Sequence, residues 1–139
     1  MNEINIILGA KKVLSVNAIY SSRVMYGPRG VYSTIYKTSE AKRTEEYIKE
    51  QIRALNIPKN YPWVNKNTLF KMYINIIFKS GFLLRDVDNC LKLVGDGIFR
   101  ALELNDSHIV EIQAKKQLFP NASEEKILVK LVEVDKSDI

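Results

Sequence analysis

From Thr38 onward, small and apolar residues recur at three- and four-residue spacing: Ala41, Thr44, Ile48, Ile52 and Leu55. With Thr38 or Ser39 as N-cap and Pro58 beyond the end, this spacing predicts an amphipathic helix over 39–56. The period then changes. Phe70, Met72, Ile74, Ile76 and Phe78 alternate with Leu69, Lys71, Tyr73, Asn75 and Ile77, the two-residue repeat of a long strand with one strongly apolar face, ending at Ser80-Gly81. Helical spacing returns over 87–102, where Val87, Leu91, Val94, Ile98 and Leu102 form a stripe that Cys90 and Ala101 widen.

Shorter patterns complete the order. INIIL at 4–8 predicts a first strand, SHIVEIQAKK at 107–116 another, FPNASEE a turn, and KILVKLVEV at 126–134 a final strand. Between the first strand and Ser33, Gly27, Pro28 and Gly30 mix with Arg23, Arg29 and several tyrosines, which predicts a loop or short hairpin. Residues 57–67, IPKNYPWVNKN, are a loop with two prolines. The order β-α-β-α-β-β predicts an α/β domain of the α+β type, with one mixed or antiparallel sheet and two helices packed on it, because each amphipathic element must bury its apolar face.

The 139 residues suffice for one domain, 1–139, with a core that needs no disulfide or structural metal. A single cysteine, Cys90, excludes an internal bridge and fits a reducing compartment, so a cytoplasmic location is expected. The N-terminus carries an acid before its apolar run and resembles a strand more than a signal peptide, and no apolar run approaches the ~18 residues of a bilayer span. The formal charge of +5 favours polyanionic partners.

The unusual feature is RDVDNCLKLVGDG, 85–97, which sets three acids in and around an otherwise apolar helix. Asp86 and Asp88 lie two residues apart where the chain approaches the helix, and in an extended segment such residues point the same way. Asp88, Lys92 and Asp96 follow at four-residue intervals on one helix face. Asp106 falls at the junction with the next strand, where a short return would bring it beside the first two acids. An N-cap role explains one acid, at about 1 kcal/mol, but not two adjacent carboxylates, which repel unless a cation or proton intervenes. A metal site and a set of caps and surface charges both remain open on pattern alone. Gly95 and Gly97 each cost about 1 kcal/mol in a helix. Close packing on the sheet is the favoured reason for them, ahead of room for a phosphate backbone.

RDVDNCLKLVGDGIFRALELNDSHIVEI resembles the core of the RusA-type Holliday-junction resolvases. Their signature is Asp-x-Asp-Asn, a Lys four residues after the second Asp, an Asp four residues later and a final Asp after the helix. Asp86, Asp88, Asn89, Lys92, Asp96 and Asp106 occupy those positions within 21 residues. SVNAIYSSR, the basic Gly-containing segment after it and the first helix are similar to the family's N-terminal part. Asn105 stands where an acid often precedes the final Asp, which makes Asp106 the chosen residue and Glu103 an outside candidate.

The resemblance implies a homodimeric, Mg²⁺-dependent endodeoxyribonuclease, with Mn²⁺ as the alternative ion, that resolves four-way junctions in branched DNA by paired nicks in recombination and repair. It further implies that Asp86, Asp88 and Asp106 bind metal, that Lys92 is catalytic, and that Asn89 and Asp96 support them, Asp96 by pairing with Lys92. Arg23, Arg29, Lys71, Lys79 and Arg85 are candidate phosphate contacts, as are Lys59 and Lys66. Tyr20, Tyr26 and Tyr32 are candidates for stacking, with ordinary packing the commoner role for such residues. His108, the only histidine, is placed outside the constellation, and Cys90 is read as a buried small hydrophobe. Two rivals stand beside this reading: a non-catalytic nucleic-acid-binding α/β module, and a nuclease with broader preference for branched DNA.

Overall fold

The computed structural model describes residues 2–10, 13, 20–37, 39–80 and 87–139, with backbone alone for 20–23, 32, 34–37 and 87–90. Six strands and two helices follow in the order β1 (Glu3–Gly9), β2 (Tyr20–Gly27), β3 (Gly30–Lys37), α1 (Ser39–Ala54), β4 (Phe70–Phe78), α2 (Val87–Ala101), β5 (Ile109–Leu118) and β6 (Lys126–Glu133). This is the expected α+β class and order, with one addition. Where the sequence left a loop or short hairpin open, β2 and β3 pair as an antiparallel hairpin that forms a separate two-stranded sheet. Pro28 and Arg29 form its turn, and Gly30 supplies a backbone φ of 117° that side chains rarely adopt.

The main sheet has the order β1-β6-β4-β5. β6 runs antiparallel to both β1 and β4, while β5 runs parallel to β4, so the sheet is mixed. A parallel neighbour requires a crossover, and α2 is that crossover. One face of the sheet carries Ile4, Ile6, Leu8, Met72, Ile74, Ile76, Ile127, Val129 and Leu131, all buried against the helices. From α1, Ile48 and Ile52 join this core, and from α2, Val94, Ile98 and Phe99.

The helix faces follow the periodicity closely. Ala41, Thr44, Ile48 and Ile52 are the buried residues of α1. The Thr44 hydroxyl is satisfied by donating to the Glu40 carbonyl one turn back, at 3.0 Å. In α2 the buried set includes Leu93 and Phe99 as well as Val94 and Ile98, a wider face than the predicted stripe, because α2 touches both the sheet and α1. Phe99 meets Phe70 edge to face at 5.6 Å, and Trp63 and Tyr61 extend the aromatic contacts into the loop before β4.

Of the two glycines of α2, Gly97 is a packing residue, set against α1 where the sheet was expected, while Gly95 faces the sheet with room for a methyl. A Cβ on Gly95 would meet Met72 Cε of the sheet at 3.6 Å, and one on Gly97 would come within 2.9 Å of Ile48 Cδ1. Each helix ends on a left-handed residue, Asn56 at φ 55° and Glu103 at φ 60°. After α2 the Leu104 amide returns to the Phe99 carbonyl at 2.8 Å and the Glu103 amide to Arg100 at 3.1 Å. These bonds satisfy the last carbonyls and stop the helix without a glycine.

Candidate active site

The candidate residues are strung along the β4-α2-β5 crossover. Asp86 and Arg85 lie outside the described residues, as does the rest of 81–86. Asp88 and Asn89 are in the first turn of α2, their side chains likewise outside the described set. Because α2 is continuous from Val87 to Ala101, Asp88, Lys92 and Asp96 stand one turn apart along a single side of the helix. That side is the wet one: Lys92 is exposed and Asp96 half-exposed, whereas Leu93, Val94, Gly97 and Ile98 are buried. Lys92 takes part in an interaction on this side of the helix. One turn beyond Asp96, Arg100 reaches across to Glu45 of α1 at 3.2 Å.

Asp106 is not beside Asp88. It begins a 3-10 turn, Asp106–His108, between the end of α2 and the start of β5. Ile109 is registered with Phe70, at the beginning of β4, whereas α2 starts beyond Phe78, at the strand's other end. The 15 residues of α2 span about 22 Å at about 1.5 Å per residue, so Asp88 and Asp106 of one chain are separated by roughly a helix length. The expected return is long because the helix is a rod, and parallel pairing of β5 requires that rod to run the length of the sheet. No group of three or more His, Cys, Asp or Glu residues arranged to hold a metal occurs among the described residues.

The turn holding Asp106 is built locally. Asn105 caps it, accepting from the Ser107 amide at 2.9 Å and from the Ser107 hydroxyl. Asp106 itself is exposed. His108 Nδ1 lies 2.9 Å from the Thr68 carbonyl, which ties the turn to the loop before β4. The Thr68 hydroxyl donates to the Trp63 carbonyl at 2.7 Å and accepts from the Asn65 amide at 3.0 Å. His108 is therefore a structural clasp. Glu103, the outside candidate, is the exposed left-handed residue that ends α2.

A carboxylate that sequence reading passed over lies at the opposite end of β4. Glu125, only 7 % exposed, accepts the Lys79 amide on Oε2 at 3.0 Å, and its carbonyl accepts the Ala10 amide at 3.3 Å. It closes the end of the sheet from which the acidic segment departs. In the sequence it was one letter of a turn, and no periodic signal marks an acid as buried.

The candidate phosphate contacts are dispersed. Arg29 is at the hairpin tip, Arg23 is in β2 opposite Thr34 with its side chain outside the described set, and Lys79 is exposed just past β4. Lys71, near the start of β4, pairs with Glu111 of β5 at 3.4 Å. Gln113 also donates to Glu111, at 3.1 Å, and these bonds and the Lys71 charge hold the Glu111 carboxyl below its ordinary range. Lys71 and Lys79 are separated by the length of the strand, about 26 Å at ~3.3 Å per residue. These residues do not make one patch within a chain. Cys90 has its side chain outside the described set.

Among the described residues no helix is long and apolar enough to cross a membrane. No family model matches the sequence, and no curated protein matches it significantly. Among solved structures, the chain is similar to IspF of Plasmodium falciparum in complex with CDP, at 10% identity over 97% of both chains and a TM-score of 0.36.

Proposed function

We propose that this protein is a divalent-metal-dependent endodeoxyribonuclease acting on branched DNA, of the kind that the RusA-type resemblance implies. The observation that supports the reading is the continuous helix that keeps Asp88, Lys92 and Asp96 in line along one side of α2, where Lys92 is exposed, immediately after Asp86 in the chain. In a purely structural helix, two acids at its start and a lysine one turn on would contribute about 1 kcal/mol from capping and a few tenths of a kcal/mol per i,i+4 pair, and would leave the second acid unneeded.

The donor set suits Mg²⁺. Two carboxylates and the Asn89 amide oxygen are hard oxygen ligands, and Mg²⁺ binds few of these while retaining water. Such an ion, when bound, supplies an activated water and stabilises the oxygen that leaves the phosphorus. Asp86 and Asp88 would hold such an ion at the start of α2. Lys92 lies about 6 Å further along the same helix side, at ~1.5 Å per residue, and neutralises charge developing on the scissile phosphate. Asp106, a helix length away, enters such a centre only from a second copy of the chain. A two-fold dimer then carries two equivalent sites, which suits paired nicks in strands of matching polarity.

Metal binding tests the reading directly. Titration of Mn²⁺, followed by calorimetry or by paramagnetic broadening of amides at the start of α2, is expected to saturate in the wild type and to be lost in Asp86→Asn and in Asp88→Asn. Unchanged binding in both variants contradicts it.

A further inference from the structure

The helices cover one face of the main sheet; on the other, Val132 and Ile77 are buried, while Ile7, Gln113, Lys115 and Lys130 are exposed. The strand register arranges this second face in four rows. At one end lie Glu3, Val132, Lys71 and Glu111; next come Asn5, Lys130, Tyr73 and Gln113; then Ile7, Leu128, Asn75 and Lys115; and finally Gly9, Lys126, Ile77 and Gln117. Both carboxylates are in the first row, and one of them is already paired to Lys71. The other three rows carry Lys115, Lys126 and Lys130 and no acid, and none of these lysines has an ion-pair partner among the described residues.

The surface between the lysines is a groove of about 580 Å³ whose lining includes Asn5, Tyr73, Asn75, Gln113 and Leu128. Asn75 donates to Gln117 at 2.7 Å, while its Oδ1 is buried without a hydrogen-bond partner. An aromatic ring, side-chain amides and unpaired lysines together suit a ligand that has flat faces, hydrogen-bonding edges and a string of negative charges. That combination is a nucleic acid with exposed bases. Four strands about 4.8 Å apart are wider, with side chains, than the ~12 Å major groove, so this face cannot enter a duplex as a ribbon does.

We infer that this second sheet face is a platform for single-stranded DNA, with Lys115, Lys126 and Lys130 on phosphates and Tyr73 stacked against a base. The choice of DNA over RNA rests on the nuclease reading; the platform itself does not. In a branched substrate it would hold an unpaired or splayed strand away from the start of α2, on the other side of the sheet.

The test is fluorescence anisotropy of an end-labelled 12-nucleotide oligothymidylate titrated with the intact protein in EDTA, where no cleavage enters. The wild type is expected to bind at least tenfold more tightly than to a duplex of equal length. Tyr73→Ala is expected to weaken binding about tenfold, within the range of one lost stacking contact, with Tyr73→Phe restoring it. Replacing Lys115, Lys126 and Lys130 by Gln is expected to reduce the slope of log affinity against log salt by about 2, at ~0.7 per phosphate contact on a single strand. The same loss of charge at exposed Lys42, Lys49 and Lys136 is expected to leave the slope unchanged. Absence of binding, equal losses in the two triple variants, equal affinity for duplex or preference for RNA overturns the inference. So does a wild-type dimer that the sheet triple variant dissociates, since the face would then belong to a second copy. A protein that binds the oligonucleotide but takes up no metal retains the platform and loses the nuclease reading.

Discussion

Gly97 of α2 sits directly on Ile48 of α1: an added Cβ would lie 2.9 Å from Ile48 Cδ1 and 3.2 Å from its Cγ2, with Ile48 fully buried. Ile48 is β-branched and enclosed, so it cannot swing aside. Two turns of the same helix pair therefore approach as closely as backbone and branched side chain allow.

This contact separates two substitutions of the same chemistry. Gly97→Ala gains up to ~1 kcal/mol of helix propensity but overpacks the α1 contact, at a cost of ~1–3 kcal/mol, and is expected to destabilise the fold by about 1 kcal/mol. Gly95→Ala meets Met72 Cε at an ordinary 3.6 Å and is expected to be neutral or stabilising by up to ~1 kcal/mol. Denaturant unfolding of the two variants checks the order.

His108 is expected to matter for stability and not for chemistry. Removing its bond to the Thr68 carbonyl in His108→Ala should cost about 1 kcal/mol. Cleavage per folded molecule should stay within twofold of the wild type, whereas a large loss of rate at unchanged stability would bring His108 into the site.

The Glu111 carboxyl is held below its ordinary range first by the Gln113 hydrogen bond and then by Lys71. A depressed carboxylate contributes stability that is present above its unfolded value and lost as pH falls through the folded one, so the Glu111 contribution belongs to neutral pH and disappears in acid. An NMR titration should find its midpoint below that of an unperturbed glutamate. Gln113→Ala and Lys71→Ala should each raise it.

Asp106 should act in trans. Asp88→Asn and Asp106→Asn are each expected to abolish cleavage alone, yet subunits exchanged between them should regain single nicks, because one of the two sites in each mixed dimer is then intact. Recovery measured on a labelled junction checks this. Two inactive parents that stay inactive when mixed would place both acids in the same chain's site.

Local periodicity made most of the elements legible. The buried faces of α1 and β4 follow from spacing alone, because a helix repeats every 3.6 residues and a strand every two. The hairpin was open as one of two readings, since glycine and proline mark a turn without saying whether its arms pair. The parallel placement of β5 was not legible: strand order is a non-local choice that no single segment encodes. The distance between Asp88 and Asp106 was implicit in the sequence and was misread, because a predicted helix of this length is already a rod of about 22 Å. The lysines of the second sheet face and Tyr73 escaped notice because β4, β5 and β6 each contribute only one or two of them, and register alone gathers them.

The central claim is that the acids at the start of α2 cut branched DNA. Its most direct measurement is cleavage of a labelled immobile four-way junction and a matched linear duplex, with and without Mg²⁺, by the wild type and Asp88→Asn. Paired nicks in the junction alone, absent without metal and in Asp88→Asn, are the expected result. Junction binding with no cleavage under any of these conditions would contradict the account.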